Sequence, residues 1–418
     1  MDSSTKSEKR ITLDSSLHMT AKKVLIAGGG VGGLVAAKRL SERLRKKAEI
    51  TLVSDSDYFY WPPYLSDVAF GGMEPSQIYL PLSKLSQRGV RVVKAKVTKI
   101  IPESRKVTTD SGEISYDYLI ASLGSEYDFS NYGLSAGLHN YTLEGALKMR
   151  EALSSFGSGK LVVFAPEVTH RCGMYPFELV SRIDVALRMR GIRQKVEITL
   201  IHPFKKPVEP LGKEVSSYVE ERFYSRGINY IGGLNPQGVD KNTKKVVLKG
   251  EEVSYDMLLV IPPIRVPSAF HGSGLTVNTA VGEWTAADPS DARSPKYDDV
   301  FLPGEHSMPF LGLPAAGVPV HFLALSSAAQ VAGEILGEPV DPQGLSSMVL
   351  LMDLGDQGMM VECEVKRRES SGLVWAGDHY VFKEPGLEWG GNCYSLLTCP
   401  LSKFAKDMIY SSFLSTSL

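Results

Sequence analysis

The sequence has few of the features that mark a nucleic-acid-binding, membrane-spanning or disulfide-rich protein. Its 46 Lys and Arg residues nearly balance its 47 Asp and Glu residues, and a net charge of -1 gives no basis for nucleic-acid binding. No apolar run approaches the length that a helix needs to cross a bilayer. Four cysteines in 418 residues do not make a disulfide framework, and the polar N-terminal stretch lacks the apolar core of a signal peptide. We expect a cytoplasmic chain, either soluble or peripheral on the cell membrane.

One glycine-rich stretch, Val24–Ala37, stands out against this background and reads VLIAGGGVGGLVAA. Gly28, Gly30 and Gly33 have the spacing G-x-G-x-x-G between an apolar, β-branched run and an Ala-rich helical pattern. In such a strand–turn–helix unit the backbone approaches a pyrophosphate closely, and the helix N-terminus faces the phosphate charge. The stretch therefore predicts a bound dinucleotide.

Two later strand ends extend the predicted cofactor site. The predicted strand Glu49–Val53 is followed by Ser54, at the place where dinucleotide folds hold an adenosine ribose with an acidic residue, and then by Asp55. Both are ribose-binding candidates. Another strand ends in Ser122-Leu-Gly124, a return turn typical of flavoproteins with two dinucleotide-binding domains. This turn favours FAD over NAD at the first site.

A second predicted flavin contact is Gly304-Glu305, which precedes a long predicted helix at about Val318–Leu336. We expect the Glu305 carboxylate to accept hydrogen bonds from the ribityl hydroxyls. The positive N-terminal end of the helix, near Ala316 and Gly317, would stabilise a reduced flavin ring.

Pro62 and Pro63, within the aromatic run YFYWPPY, suit a rigid wall against a flat ring, although core packing also explains them. No metal site is expected, because His170 and Cys172 have no second pair at ligand spacing. The predicted cofactor-binding residues are Gly28, Gly30, Gly32, Gly33, Ser54, Asp55, Pro63, Val97, Ser122, Gly124, Gly304, Glu305, Ala316 and Gly317.

No second glycine fingerprint follows the predicted buried strand Lys160–Phe164, where a second nucleotide-binding domain would place one. The chain continues instead with two prolines and Cys172, and then with a predicted helix to about Arg190. This absence disfavours a pyridine-nucleotide donor.

From Lys22 to the C-terminus the chain resembles the sulfide:quinone oxidoreductases and the flavin subunit of flavocytochrome c sulfide dehydrogenase. The resemblance implies an α/β fold with two Rossmann-like domains of the glutathione-reductase type, the second without its glycine motif, and a small C-terminal α+β region. It also implies electron transfer from sulfide, or a related thiol or persulfide, through Cys172 and FAD to a quinone. The matching segments, besides the glycine turn and Gly304-Glu305, are SDSDYF, Asp117–Gly124, Cys172-Gly-x-x-Pro176-x-Glu178, Ile261–Pro263, Met352–Gly358 and Trp389–Asn392.

The predicted domains follow from these motifs. Residues 1–21 form a disordered tail, residues 22–125 and 285–340 the FAD-binding domain, residues 126–284 the second Rossmann-like domain, and residues 341–418 the C-terminal domain. An apolar stripe over Leu401–Phe413 predicts a helix that packs on its own core or dips into a lipid surface. A homo-oligomer and a place in a larger redox complex are both compatible with the sequence.

The chain departs from the family at its cysteines. In the family two redox cysteines flank the flavin, and in some members a third is linked to it. Cys172 matches the first, but Leu350 stands at the second position and Tyr141 at the third. The family lysine at the flavin helix is replaced by Ala315, and an Asp by Glu305.

Three accounts of this departure remain open. Cys172 acts alone as a persulfidated or thiol-bound sulfur next to the flavin, with its pKa lowered by Arg171 and His170. Alternatively, Cys393 or Cys399 replaces the missing partner. In the third account the chain has lost sulfide chemistry and serves another donor or a larger redox assembly.

Two further residues and two further functions complete the expectations. Glu178 joins Cys172 as a predicted catalytic residue, either accepting a proton from the sulfur donor or stabilising the start of its helix. Cys363, in an alternating strand, is expected to be a buried structural thiol. The alternative functions are a type II NADH:quinone oxidoreductase-like enzyme and a non-catalytic flavin-binding subunit.

Overall fold

The structure is a computed structural model that describes residues 21–233, 235–340 and 345–368, together with the backbone of strands at residues 373–375, 380–382, 386–388 and 393–399. The predicted disordered tail, the segment Trp389–Asn392 and the apolar stripe Leu401–Phe413 lie outside the described residues. Within the described residues no helix is both long and apolar enough to span a membrane.

The helices of the described residues agree closely with the apolar periodicity of the sequence. The sequence pattern of Lys213–Arg226 predicts a helix with the bounds that the structure has. The long helix that ends at Leu336 begins one residue earlier than predicted. In chain order the helices are α1 (Val31–Leu44), α2 (Tyr64–Ala69), α3 (Leu143–Ser155), α4 (Tyr175–Met189), α5 (Lys213–Arg226), α6 (Met308–Leu311) and α7 (Gly317–Leu336).

The strands form several separate sheets. In chain order they are β1 (Lys22–Ala27), β2 (Ala48–Ser54), β3 (Tyr58–Tyr60), β4 (Tyr79–Pro81), β5 (Val90–Lys94), β6 (Val97–Ile101), β7 (Lys106–Thr109), β8 (Gly112–Ser115), β9 (Tyr118–Ala121), β10 (Glu126–Tyr127), β11 (Gly159–Phe164), β12 (Val196–His202), β13 (Ile228–Gly232), β14 (Pro236–Asp240), β15 (Lys245–Leu248), β16 (Glu251–Ser254), β17 (Met257–Val260), β18 (Ile264–Arg265), β19 (Thr276–Thr279), β20 (Gly282–Thr285), β21 (Val300–Phe301), β22 (Ser347–Asp353), β23 (Gly358–Glu364), β24 (Lys366–Arg368), β25 (Leu373–Trp375), β26 (Tyr380–Phe382), β27 (Gly386–Glu388) and β28 (Cys393–Cys399).

The first parallel sheet has five strands in the order β21-β9-β1-β2-β5. Its central strands are nearly continuous buried apolar runs, as expected for a parallel sheet covered on both faces. Helices α1 and α7 pack against each other beside this sheet. The carboxyl ends of β1, β9 and β21 therefore lie side by side, which brings the glycine turn, Ser122 and Gly304 to one edge.

The second parallel sheet has four strands in the order β13-β12-β11-β17. Its first strand, β11, leads through residues 165–174 into α4 without a glycine-rich turn. The two parallel sheets confirm the predicted α/β class with two Rossmann-like units. A third sheet, β22-β23-β28, is antiparallel and packs through β22 against α4.

One predicted strand is wrong in its extent. The alternation of apolar and polar residues over Arg91–Ile100 predicts one strand, but the structure divides this run between β5, in the first parallel sheet, and β6, in a separate antiparallel sheet with β7 and β8. The break falls at Ala95, whose N–H bonds to the carbonyl of Ser54, and at Lys96, whose N–H bonds to Asp110. Alternation alone carries no information about where a chain leaves one sheet for another.

Candidate functional site

The glycine turn between β1 and α1 has the shape of a phosphate cradle. Gly28 has a φ of 111°, and a Cβ there would lie 2.2 Å from the carbonyl oxygen of Ser122. A Cβ at Gly33 would lie 1.8 Å from the carbonyl oxygen of Gly28, so that both positions accept only glycine. At Gly30, by contrast, a Cβ would meet no atom of the chain within 4 Å. This open space lies before the uncapped N-terminus of α1 and fits a pyrophosphate.

The two ribose candidates follow β2, next to the glycine turn. Ser54 is buried, and a Cβ on Gly29 would approach its Oγ to 2.5 Å, whereas Asp55 is exposed. The next acidic residue, Asp57, forms an ion pair with Lys94 at 2.5 Å. Ser54 and Asp55 both stay candidates.

The return turn after β9 joins the strand ends that carry the site. The Ser122 N–H donates to the carbonyl of Ala27 at 2.7 Å, and the Ser122 Oγ donates to the carbonyl of Pro303 at 2.7 Å. Gly124 has a φ of 73°, which turns the chain out of the sheet. Val97 lies elsewhere, half-buried in β6.

A cavity of about 800 Å³ runs from the first residue of α1 to the loops of the second parallel sheet. Of the predicted site residues it is lined by Pro63, Cys172, Glu178, Glu305, Ala316 and Gly317. The glycines of the turn, Ser54, Asp55, Val97, Ser122, Gly124 and Gly304 are not among its lining residues. The cavity thus joins the expected flavin helix α7 to the loop that replaces the second glycine motif.

Cys172 sits in that loop in a backbone conformation that is rare for a side chain larger than glycine. Its φ is 57°, its N–H donates to the carbonyl of Ala315 at 2.7 Å, and its own carbonyl accepts from Tyr175 at 2.8 Å. These bonds fix the half-buried thiol beside the N-terminus of α7, because Ala315 directly precedes the residue that caps this helix.

Arg171, which is predicted to lower the pKa of Cys172, has a carboxylate partner in the structure, Glu305. Its Nε lies 2.7 Å from Glu305 Oε1, and its Nη2 donates to Glu305 Oε2 at 2.7 Å. The Ser125 hydroxyl donates to the same Oε2 at 2.7 Å, and the guanidinium carbon lies 5.0 Å from the centre of the Tyr127 ring. Burial lowers the pKa of Arg171, but the charge and hydrogen bond of Glu305, together with the nearby phenols of Tyr127 and Tyr60, outweigh this effect and raise the pKa overall.

His170 cannot lower the pKa of Cys172 by a positive charge at neutral pH. Burial lowers the pKa of His170 from 6.5 to about 4, which leaves the ring neutral. The Phe204 N–H donates to His202 Nδ1 at 3.1 Å, so that the proton of His202 is assigned to Nε2, which lies 3.2 Å from His170 Nε2. The two rings form a buried, neutral pair under the Cys172 loop.

Glu178 lies in the first turn of α4 and lines the cavity. Its Oε2 accepts the Asp353 N–H at 3.1 Å, and its Oε1 lies 4.0 Å from Arg182. Arg182 also binds Asp67 at 2.7 Å. These contacts fix Glu178 between the FAD-binding region and the C-terminal sheet, and both roles predicted for it stay open.

The positions that match the missing family cysteines face the same cavity as Cys172. Leu350, 7% exposed in β22, and Tyr141, 5% exposed before α3, both line it. The hydroxyls of Tyr141 and Tyr127 are buried without a hydrogen-bond partner, and their ring centres are 5.2 Å apart. Sequence reasoning identified Tyr141 as a replacement but assigned it no function.

The prediction for Cys363 as a thiol is wrong, because Cys363 and Cys393 form a disulfide. The two residues lie directly opposite each other on the paired strands β23 and β28, with Cα atoms 4.1 Å apart. Cys393 is therefore not the substitute partner of Cys172. The side chain of Cys399 lies outside the described residues.

A family model described as pyridine nucleotide-disulphide oxidoreductase matches residues 22–281. The chain belongs to this family. Its match and the two Rossmann-like units confirm the predicted class of FAD-dependent oxidoreductase. The cradle at Gly30, the uncapped N-terminus of α7 and the cavity between them fit a bound FAD.

The similar proteins include sulfide:quinone oxidoreductases and type II NADH:quinone oxidoreductases. A mitochondrial sulfide:quinone oxidoreductase of Dictyostelium discoideum is 30% identical over 304 residues, which cover 68% of this chain and 65% of that protein. A sulfide-quinone reductase of Aquifex aeolicus is 27% identical over 80% of this chain and 82% of that protein. A type II NADH:quinone oxidoreductase of Staphylococcus saprophyticus is 26% identical over 68% of this chain and 74% of that protein.

Among solved structures, the X-ray structure of the sulfide:quinone oxidoreductase from Aquifex aeolicus is similar, with a TM-score of 0.77. The superposition covers 95% of this chain and 91% of that one at 23% sequence identity. At this identity the likeness is one of fold. The match to the Dictyostelium protein spans slightly less than two thirds of its length.

Proposed function

We propose that this protein passes electrons from sulfide, or a related thiol or persulfide, through Cys172 and FAD to a quinone. The observation that carries the proposal is the position of Cys172, which lines the cavity and donates its N–H to Ala315, two residues before the predicted flavin helix α7. Relatives named sulfide:quinone oxidoreductase support the same assignment.

The residues proposed to hold FAD lie along one path through the site. The open cradle at Gly30 would take the pyrophosphate, Ser54 or Asp55 the adenosine ribose, and Glu305 the ribityl chain. Pro63 lines the cavity as a wall, and the N-terminus of α7 at Gly317 would favour negative charge on the ring. When bound, FAD supplies an acceptor for two electrons and a donor to the quinone.

The protein's own groups position the sulfur donor. In this proposal Cys172 is the residue that the donor meets, and the Glu178 carboxylate in the same cavity takes the donor's proton. The partly buried Arg171–Glu305 pair holds the Cys172 loop against the proposed FAD-binding region. The rings of Tyr127 and Tyr141 exclude water from this part of the cavity.

The quinone would enter at the apolar mouth of the cavity. Val318 and Phe322 on α7 and Val349 on β22 line the cavity and are 37%, 43% and 37% exposed. Large apolar side chains exposed together at a cavity rim are typical of sites that meet apolar ligands or lipid. A peripheral association with a membrane is part of the proposal.

The two competing functions make different predictions. An NADH:quinone oxidoreductase, the name of one relative, needs a nucleotide site where residues 165–174 have no glycine fingerprint. The alternative of a non-catalytic flavin-binding subunit is supported by Leu350, which lines the cavity at the position that matches the second redox cysteine of the family.

An anaerobic titration of the holoenzyme decides among the three. If sulfide bleaches the flavin and Cys172→Ser abolishes the bleaching, the proposal holds. Rapid bleaching by NADH alone would support the second function, and a flavin that neither donor reduces would support the third.

A further inference from the structure

We propose that Tyr141, assisted by Tyr127, is the hydrogen-bond donor that binds the hydrosulfide anion beside Cys172. The inference rests on the proposed function and names the group that recognises its substrate. It concerns non-covalent binding that precedes any change at the sulfur.

The first observation is that the two hydroxyls lack partners. Tyr141 is 5% exposed, its hydroxyl has no hydrogen-bond partner in the structure, and it lines the cavity that also contains Cys172. The buried Tyr127 hydroxyl is in the same state. A buried hydroxyl without a partner costs free energy, and two of them in one cavity wall indicate a ligand that accepts hydrogen bonds.

The third tyrosine that lines this part of the cavity, Tyr175, has hydrogen-bond partners within the protein. Tyr175 lies edge-on to Tyr141, with ring centres 6.0 Å apart. Its hydroxyl donates to Ser66 Oγ at 3.2 Å and accepts a hydrogen bond from the Asn140 amide. The protein therefore supplies partners for Tyr175 and leaves the other two hydroxyls for something else.

The charges around Cys172 show why neutral donors are needed there. Arg171, which directly precedes Cys172, is held by two close contacts to the Glu305 carboxylate, and His170 is neutral. These two neighbours therefore offer an anion at Cys172 no uncompensated positive charge. Phenol hydroxyls in a low-dielectric cavity stabilise an anion without a net charge of their own.

Both hydroxyls are suited to donate rather than to ionise. Burial raises the pKa of Tyr141 well above 10, and the neighbouring charges of Tyr175, Tyr127 and Cys172 raise it further. Burial raises the pKa of Tyr127 as well. Tyr141 therefore stays protonated over the whole working pH range.

The test compares Tyr141→Phe with Tyr116→Phe in the FAD-loaded enzyme. Tyr116 is the matched control, because its hydroxyl is also buried and without a partner, but the residue does not line the cavity. We expect Tyr141→Phe to raise the KM for sulfide on the order of tenfold to a hundredfold, the range for a hydrogen bond to a charged group. The kcat at saturating sulfide and the KM for quinone should stay within about threefold of wild type.

A second readout does not depend on turnover. Thiocyanate, a non-reducing sulfur anion, is titrated into the same enzymes and followed by the change in flavin absorption. The Tyr141→Phe enzyme should bind it at least about tenfold more weakly, and Tyr127→Phe should do so to a smaller degree. Thermal unfolding of each variant identifies any that fails to fold, and Tyr127→Phe then serves in place of Tyr141→Phe.

Two results would overturn the inference. If Tyr141→Phe and Tyr116→Phe have the same KM for sulfide and the same thiocyanate affinity, the hydroxyl does not bind the anion. If Tyr141→Phe weakens FAD binding while sulfide KM is unchanged, the hydroxyl belongs to the flavin. Failure of sulfide to reduce the wild-type flavin would refute the proposed function instead, and thiocyanate binding would still test the anion site.

Discussion

The ion pair between Arg171 and Glu305 makes a quantitative prediction about how the two halves of the site are held together. Arg171 belongs to the Cys172 loop and Glu305 to the FAD-binding region, and their side chains are 21% and 13% exposed. Arg171→Met leaves the carboxylate with the hydroxyl of Ser125 and without its counter-charge. Breaking one partner of a fully buried pair costs about 3–5 kcal/mol, and because this pair is only partly buried we expect a loss of unfolding free energy at the lower end of that range, about 3 kcal/mol.

The double variant Arg171→Met/Glu305→Gln separates pairing from simple loss of packing. Since it removes both charges, we expect it to be more stable than the sum of the single variants by about 2 kcal/mol or more. The assay is urea-induced unfolding of the FAD-saturated proteins. The exposed pair Lys245–Glu252, with side chains 40% and 54% exposed, is the control and should couple by less than about 1 kcal/mol. A coupling at Arg171–Glu305 no larger than this control would refute the reasoning.

Two further predictions concern the cradle and the buried imidazoles. A Cβ at Gly30 would meet no atom of the chain within 4 Å, so Gly30→Ala should leave unfolding unchanged and weaken FAD binding by at least about tenfold. A Cβ at Gly33 would lie 1.8 Å from a carbonyl oxygen, so Gly33→Ala should destabilise the fold. Equal effects of the two variants on thermal unfolding would contradict this prediction. The pKa of His170 is about 4 in the folded protein, below its ordinary value of 6.5. Between pH 6.5 and pH 4 the unfolded chain therefore binds more protons than the folded one, and the free energy of unfolding falls as the pH drops through this range. The difference of about 2.5 is worth about 3 kcal/mol at 1.36 kcal/mol per pKa unit, and unfolding measured at several pH values should show a shallower pH dependence in His170→Gln than in wild type. An identical dependence in the two proteins would be the contrary result.

Local pattern was sufficient for most of the fold. The sequence patterns of Lys213–Arg226 and Val196–His202 predict a helix and a strand with the observed bounds, because an amphipathic period or a nearly continuous apolar run specifies such elements without reference to distant residues. The glycine turn could also be predicted from local sequence, because steric contacts within one strand–turn–helix unit require glycine at positions 28 and 33.

What the sequence did not predict depends on contacts between distant segments. Arg171 and Glu305 are 134 residues apart, so the sequence did not identify the carboxylate that binds the guanidinium. The Cys363–Cys393 disulfide follows from the register of β23 and β28, which spacing along the chain does not give. The unpartnered state of Tyr141 is likewise visible only when every neighbour of its hydroxyl is known.

The absence of a second glycine fingerprint was the most informative negative feature of the sequence. In the structure, residues 165–174 occupy that place and bring Cys172 to the start of α7, the predicted flavin helix. Leu350 lines the cavity at the position that matches the second family cysteine, so the cavity has an apolar side chain there. The chemistry of the donor therefore depends on Cys172 and the groups around it.

The most direct test of the central claim is the rate at which sulfide and NADH bleach the flavin of the anaerobic holoenzyme, measured for wild type and Cys172→Ser at equal FAD content. The account predicts rapid bleaching by sulfide, loss of that bleaching in Cys172→Ser, and recovery of the oxidised spectrum when quinone is added to the wild type. Faster bleaching by NADH than by sulfide, unchanged by Cys172→Ser, would contradict it.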